Sequence, residues 1–180
     1  MQAYLKKHDS QFAGHRIKVN WSLSQRNLNI QFEIQKRTGP GWQTDPQFSS
    51  DWLKNWGLWN NDVFEAFLQL RSHPDDVAAP YLEIQLSPLN QPFALIITEP
   101  RKTYFPPAKL DFKGSVQVEN KFWTGVIDLT LPDELKGERL YGGFFSCLST
   151  NPREYYALEP NPESNPDFHR PELFLCLEDS

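Results

Sequence analysis

The chain has 180 residues, 39% of them apolar and 14% aromatic, with 18 basic against 23 acidic side chains for a formal charge of −5. That length suits one domain with a single core and no need of disulfide staples, and 15 prolines beside 9 glycines punctuate many short segments, which favours an all-β architecture over a helical one. The longest basic runs, Lys6-Lys7, Lys36-Arg37 and Arg101-Lys102, are mere pairs, which argues against nucleic acid and membrane surfaces as partners.

The first twenty residues carry His8, Asp9, Arg16 and Lys18 and no apolar run long enough for a signal peptide or a membrane span, so a cytoplasmic location is expected. Ile17, Val19, Trp21 and Leu23 then alternate with polar residues, as do Leu28, Ile30, Phe32 and Ile34 after Gln25-Arg26-Asn27. This pattern predicts a hairpin of two half-buried strands. From Lys36 to Trp59 the alternation is lost. Four of the six tryptophans, Trp42, Trp52, Trp56 and Trp59, fall in this irregular stretch, which is either a ligand platform or a small core beneath a long loop.

Alternation returns at Val63–Leu70 and, after His73-Pro74-Asp75-Asp76, at Tyr81–Ser87, with a third strand expected at Phe93–Thr98. A proline-bearing connection through Pro100, Pro106 and Pro107 leads to strand-like runs at Gly114–Glu119 and Lys121–Leu129. Pro132-Asp133-Glu134-Leu135 suggests a helical turn, and further strands are expected at Leu140–Leu148, Glu154–Leu158 and Glu172–Leu177. A loop with prolines at 160, 162, 166 and 171 precedes the last of these. Nine to ten short strands without βαβ units or internal repeats predict one antiparallel β-sandwich spanning residues 1–180. Cys147 and Cys176 both sit in apolar segments and read as small hydrophobes, a disulfide being the less favoured alternative.

Several of these segments together resemble family 9 carbohydrate-binding modules and the wider DOMON-like group: Leu58-Trp59-Asn60-Asn61-Asp62-Val63-Phe64-Glu65, Tyr81–Pro88, Trp123-Thr124-Gly125-Val126-Ile127-Asp128-Leu129, and Asp167-Phe168-His169-Arg170-Pro171-Glu172-Leu173-Phe174. The resemblance implies a β-sandwich whose ligand lies against a tryptophan and is gripped by polar residues of a neighbouring strand. Trp59 and Glu65 stand where the motif places those contacts. Sugar-binding members usually clamp the ring between two indoles, whereas no tryptophan follows Trp123 here and the late loop offers Tyr155, Tyr156 and Phe168. Some DOMON relatives bind haem through methionine and histidine. Met1 is the only methionine, so that pairing is not expected.

The residues themselves lead to the same strand pair. If Val63–Leu70 and Tyr81–Ser87 form a hairpin, Phe64, Ala66, Leu68, Leu70, Leu82, Ile84 and Leu86 share the core face. Glu65, Gln69, Glu83 and Gln85 then share the other, bordered by Phe67, Tyr81 and Trp59. That second face is either the solvated side of the sheet or a saccharide site, since aromatic faces beside hydrogen-bond acceptors suit sugar rings and hydroxyls. The expected site is Trp59, Glu65, Glu83 and Gln85.

Glu65 and Glu83 also raise the alternative of a glycosidase pair, but no nucleophile elbow, phosphate loop or Cys/His arrangement accompanies them, so no enzyme is expected. His8, His15, His73 and His169 are dispersed, so no transition metal or other cofactor is expected. His169 is expected to anchor its loop to backbone. Asp51, Asp62, Asp75 and Asp76 are loop carboxylates with the chemistry for a structural calcium ion but not the EF-hand spacing. The function expected is noncatalytic binding of a saccharide or similar small polar ligand. The alternative is a protein-interaction or structural sandwich that has lost the sugar site.

Overall fold

The computed structural model describes residues 1–7, 15–36, 41–148, 153–161 and 166–178. His8, the Gly39-Pro40 pair and Pro162 lie outside the described residues. The expected hairpin forms from β3 (His15–Ser24) and β4 (Asn27–Lys36), with Ile17 opposite Ile34 and Trp21 opposite Ile30. The turn between them places Gln25 at a φ of 57°. β4 also pairs with β10 (Phe122–Thr130), which pairs with β9 (Asp111–Glu119), and β1 (Gln2–Tyr4) adds an outer strand along β3. These strands make a five-stranded antiparallel sheet in the order β1-β3-β4-β10-β9.

The second sheet is centred on β5 (Val63–Arg71), which pairs on one side with β6 (Tyr81–Leu86) and on the other with β11 (Arg139–Leu148). Beyond β6 come β7 (Pro92–Glu99) and β8 (Thr103–Phe105), and beyond β11 come β12 (Glu154–Ala157) and β2 (Lys6–Lys7). A two-residue strand, β13 (Leu175–Cys176), also attaches to β11. The described residues thus form thirteen strands. The three additions to the ten expected runs, β1, β2 and β8, are too short to show a period. Pro132–Leu135 forms a turn closed by Leu135 N–H donating to Pro132 O at 3.1 Å, rather than a helix.

The two sheets pack face to face over a shared core. Ile17, Val19, Trp21, Ile30, Phe32, Ile34, Trp123 and Ile127 come from the first sheet; Phe64, Ala66, Leu68, Leu82, Ile84, Ile96, Leu140 and Phe144 come from the second. Rings organise its centre: Phe32 stacks on Phe64 with centroids 4.1 Å apart and meets the edge of Trp123 at 5.1 Å. Gly125 lies opposite Phe32 in the β4–β10 ladder, and a Cβ there would fall 2.2 Å from the ring. Glycine at 125 is therefore what lets that ring lie across the strand toward Phe64.

Cys147 and Cys176 are not joined by a disulfide. Cys176 pairs with Tyr141, six residues along β11 from Cys147. At ~3.3 Å per residue that separation is about 20 Å, far beyond the reach of a disulfide.

Candidate functional site

The core face of β5 and β6 is the one read from alternation, with Phe64, Ala66, Leu68, Leu82, Ile84 and Leu86 between the sheets. The opposite face differs from the solvated alternative, because every residue of both strands is buried. Glu65 is 3% exposed, Glu83 5% and Gln85 1%. Two irregular segments cover this face, the tryptophan-rich stretch before β5 and the C-terminal stretch 166–174.

Buried side chains bind the first segment to the sandwich. Lys36 at the end of β4 donates from Nζ to Asp62 Oδ2 at 3.0 Å and to Gly41 O at 2.9 Å, and Asp62 Oδ2 also accepts from Gln43 N–H at 2.9 Å. Asn55 donates to Ser49 O and to Pro92 O on β7, and Gln91 donates to Asp45 O and Phe48 O. These bonds satisfy loop backbone that no strand pairs. They also divide the tryptophans. Trp42 and Trp52 pack against the inter-sheet core, with Trp42 edge-on to Trp123, whereas Trp56 and Trp59 turn toward the covered sheet face. Trp59 also packs, with Phe48, against a small cluster of Leu58, Val63, Phe93 and Cys147, so part of the loop does form a small core.

The second segment is anchored from several strands. Arg71 donates to Pro171 O at 2.6 Å, Arg101 pairs with Asp167 at 2.7 Å, and Phe168 stacks on Phe145 of β11 with centroids 4.4 Å apart. His169 was expected to bond backbone through its ring. Instead its Nδ1 and the Tyr81 hydroxyl share a 2.8 Å hydrogen bond and its ring lies against Phe67, while its own N–H donates to Asp167 Oδ1.

Between these covers and the sheet lies a cavity of about 440 Å³. All four expected residues line it: Glu65, Glu83 and Gln85 from the sheet and Trp59 from the loop. Gln69, read as part of the same polar face, is occupied elsewhere, donating to Val77 O and Ala79 O in the β5–β6 connection. Glu65 is directly opposite Gln85, and Glu83 is opposite Phe67, so the two carboxylates are diagonal neighbours. Gln85 Nε2 donates to Glu83 Oε1 at 2.6 Å, while Gln85 Oε1 is buried with no hydrogen-bond partner among the described residues. Among the described residues, Glu65 receives only a long contact from the Cys147 thiol, at 3.9 Å.

Aromatic residues flank this polar floor. Trp56 and Trp59 meet edge to face at 5.0 Å over the β7–β8 side, where Trp56 stacks on Tyr104 and Trp59 leans on Phe93. Phe168 and Tyr155 meet at 6.2 Å over the β11–β12 side. The strand order places the two groups on opposite flanks of β5 and β6. Of the late-loop aromatics, Tyr155 and Phe168 line the cavity, while Tyr156 points into the inter-sheet core. Trp56 is 55% exposed, which puts it at the rim. Arg153 donates to Trp59 O, Asn60 O and Asn61 O, holding the turn that carries Trp59.

Burial sets the protonation of the floor. It holds the Glu65 carboxyl well above the usual carboxylate range, with the neighbouring Glu83 adding to the effect and Arg153 opposing it. The Glu83 carboxyl is pushed up to about 7, also by burial, against the pull of the Gln85 amide. Burial likewise raises the Cys147 thiol and lowers His169.

The cavity lining also includes Trp56, Tyr155 and Phe168, which the sequence offers as candidate aromatics, and Arg101, Tyr104, Arg153 and His169, which no sequence pattern brings to the site. Tyr104 lies in the unpredicted β8 and Arg101 just before it, and the others approach through contacts far apart in the chain. The loop aspartates have separate tasks: Asp51 caps the turn Trp52–Lys54, Asp62 pairs with Lys36, and Asp76 accepts from His73 N–H. Among the described residues, no three His, Cys, Asp or Glu side chains are grouped to hold a metal ion.

No family model matches the chain. It is similar to the UPF0462 protein C4orf33 homologs of Mus musculus and Rattus norvegicus, each 31% identical over 123 residues, or 65% of this chain. The chain spans about 60% of the length of these curated relatives. Among solved structures it is similar to a family 9 carbohydrate-binding module from Caldicellulosiruptor kristjanssonii in complex with cellotriose. The TM-score is 0.64 at 14% identity, covering 96% of this chain and 79% of that one. The same description in complex with glucose gives a TM-score of 0.59 at 15% identity, covering 94% and 80%. The chain has the fold of these modules, an antiparallel β-sandwich.

Proposed function

We propose that the protein binds a saccharide, without transforming it, in the cavity between Trp59 and the β5–β6 floor. One observation carries this reading: a cavity of about 440 Å³ joins aromatic rings on two flanks to buried Glu65, Glu83 and Gln85. Its size falls within the ~300–1,000 Å³ typical of small-molecule sites. Ring faces accept the C–H surface of a sugar, and amides and carboxyls take its hydroxyls. The fold shared with modules solved with cellotriose and glucose supports the ligand class.

Two further points favour binding over hydrolysis. The floor carboxyls move in the same direction, whereas acid–base catalysis on two carboxyls needs environments that push their pKa values apart. Both also lie on one sheet face as diagonal neighbours, rather than across a bond to be cleaved. Residues 1–180 form one domain in this reading, which is supported by a core that includes Leu5 near one end of the chain and Leu177 near the other; kinship with the DOMON-like group is part of the same proposal.

The test is thermal shift and tryptophan fluorescence against a saccharide panel that includes glucose and cello-oligosaccharides, repeated with Trp59→Ala. Loss of the indole removes a burial worth ~1.5–3 kcal/mol, so affinity is expected to fall about ten- to a hundredfold. If no saccharide moves either signal at millimolar levels, the interaction-domain alternative replaces this reading.

A further inference from the structure

The cavity floor is built almost entirely of acceptors. Among the described residues, Gln85 Oε1 is buried without a partner and Glu65 has only the distant Cys147 thiol, while Glu83 Oε2 lies 3.9 Å from His169 Nε2. These groups converge, because Gln85 faces Glu65 across the ladder and bonds Glu83 along its own strand. A sugar hydroxyl donates a single hydrogen bond, whereas a primary ammonium offers three donors and no acceptor.

We propose that this cavity selects a ligand bearing a primary ammonium group, an amino sugar being its saccharide form, with the nitrogen seated among Gln85 Oε1, Glu65 and Glu83. The proposal rests on the saccharide-site reading and names the chemistry that site prefers. Two buried carboxyls facing one ligand position need a positive charge to be ionised at low cost. The cations nearby are engaged: Arg153 with three loop carbonyls and Arg101 with Asp167. His169 is held toward its neutral form by burial, and the Cys147 thiol toward its protonated form. The Trp59, Tyr155 and Phe168 rings in the lining add surfaces that favour a cation.

Seating the ammonium ionises the floor, so the protons held by Glu83 and Glu65 are released to solvent on binding. Calorimetric titration of the whole chain at neutral pH with glucosamine, glucose, N-acetylglucosamine and glucuronic acid reads both effects. Glucosamine is expected to bind at least about tenfold more tightly than the other three, as charge-assisted hydrogen bonds replace neutral ones. Heats measured in two buffers of different ionisation enthalpy should show net proton release. In Glu83→Gln and Glu65→Gln, the ratio of glucosamine to glucose affinity should fall.

Glucose binding as well as glucosamine overturns the amine preference and leaves the saccharide site standing. Preference for glucuronic acid, or an amine preference that survives in both variants, likewise overturns it. If none of the four binds but cellotriose does, the amine preference fails and the saccharide site stands; if cellotriose does not bind either, both readings fail.

Discussion

Replacing Asp62 by alanine is expected to destabilise the protein by about 3–5 kcal/mol, the usual cost of stranding one member of a buried ion pair. Lys36 is 3% exposed, and its Nζ loses the Asp62 carboxylate at 3.0 Å while keeping Gly41 O and the face of Trp42, neither of which carries a negative charge. The same change strips Gln43 N–H of its acceptor. Changing both partners, Lys36→Met with Asp62→Leu, removes the stranded charge and should recover most of the loss. Urea denaturation of the two single variants and the double variant measures this. A loss below ~1 kcal/mol for Asp62→Ala would mean that the pair is not buried as described. Asp62 stands between the turn that carries Trp59 and the first residue of β5, so its bond fixes the loop to the strand that forms the site floor.

Stability should fall as pH rises from about 4.5 to about 7, the reverse of ordinary paired carboxylates. Over that window folded Glu83 retains a proton that the unfolded chain has released, so the folded state binds more protons and loses ground with each step upward. The gap corresponds to about 3 kcal/mol at ~1.4 kcal/mol per pH unit. Glu65 acts in the same direction, and the pair titrates as a unit. His15 and His169, held neutral by burial, work in the opposite sense as pH falls below 6.5. The difference between each glutamine variant and the parent therefore isolates the carboxyl. Glu83→Gln and Glu65→Gln should be more stable than the parent at pH ~8 and lose that advantage toward pH ~4.5. Equal pH profiles in parent and variants would show the floor carboxyls to be hydrated.

Period-2 alternation made the long strands legible, because β3, β4, β5 and β6 each bury one apolar face against the other sheet. The site strand pair and Trp59 were legible for a related reason: once Val63–Leu70 and Tyr81–Ser87 are paired, the pleat forces Glu65, Glu83 and Gln85 onto one face. What alternation could not show is that this face is covered. β5 has the pattern of a half-exposed strand because its second face is polar, and that polarity serves a cavity rather than bulk water. The covering residues follow no local pattern. Phe168 is placed by stacking on Phe145, His169 by its bond to Tyr81, and Asp167 by Arg101, all contacts between distant stretches of chain. Nor does spacing separate Trp42 and Trp52 from Trp56 and Trp59. The split depends on which side chains Asn55, Gln91 and Asp62 tie down.

The most direct test of the saccharide site follows the six tryptophan indole N–H resonances in a two-dimensional nitrogen–proton spectrum during titration with cellotriose and with glucosamine. A ligand in the cavity should shift Trp56 and Trp59 together. It should leave Trp21, whose Nε1 donates to Leu177 O, and Trp123, packed in the inter-sheet core, in place. Saturable shifts confined to Trp56 and Trp59 are the predicted result. An unchanged spectrum, or shifts that spare both of them, would contradict it.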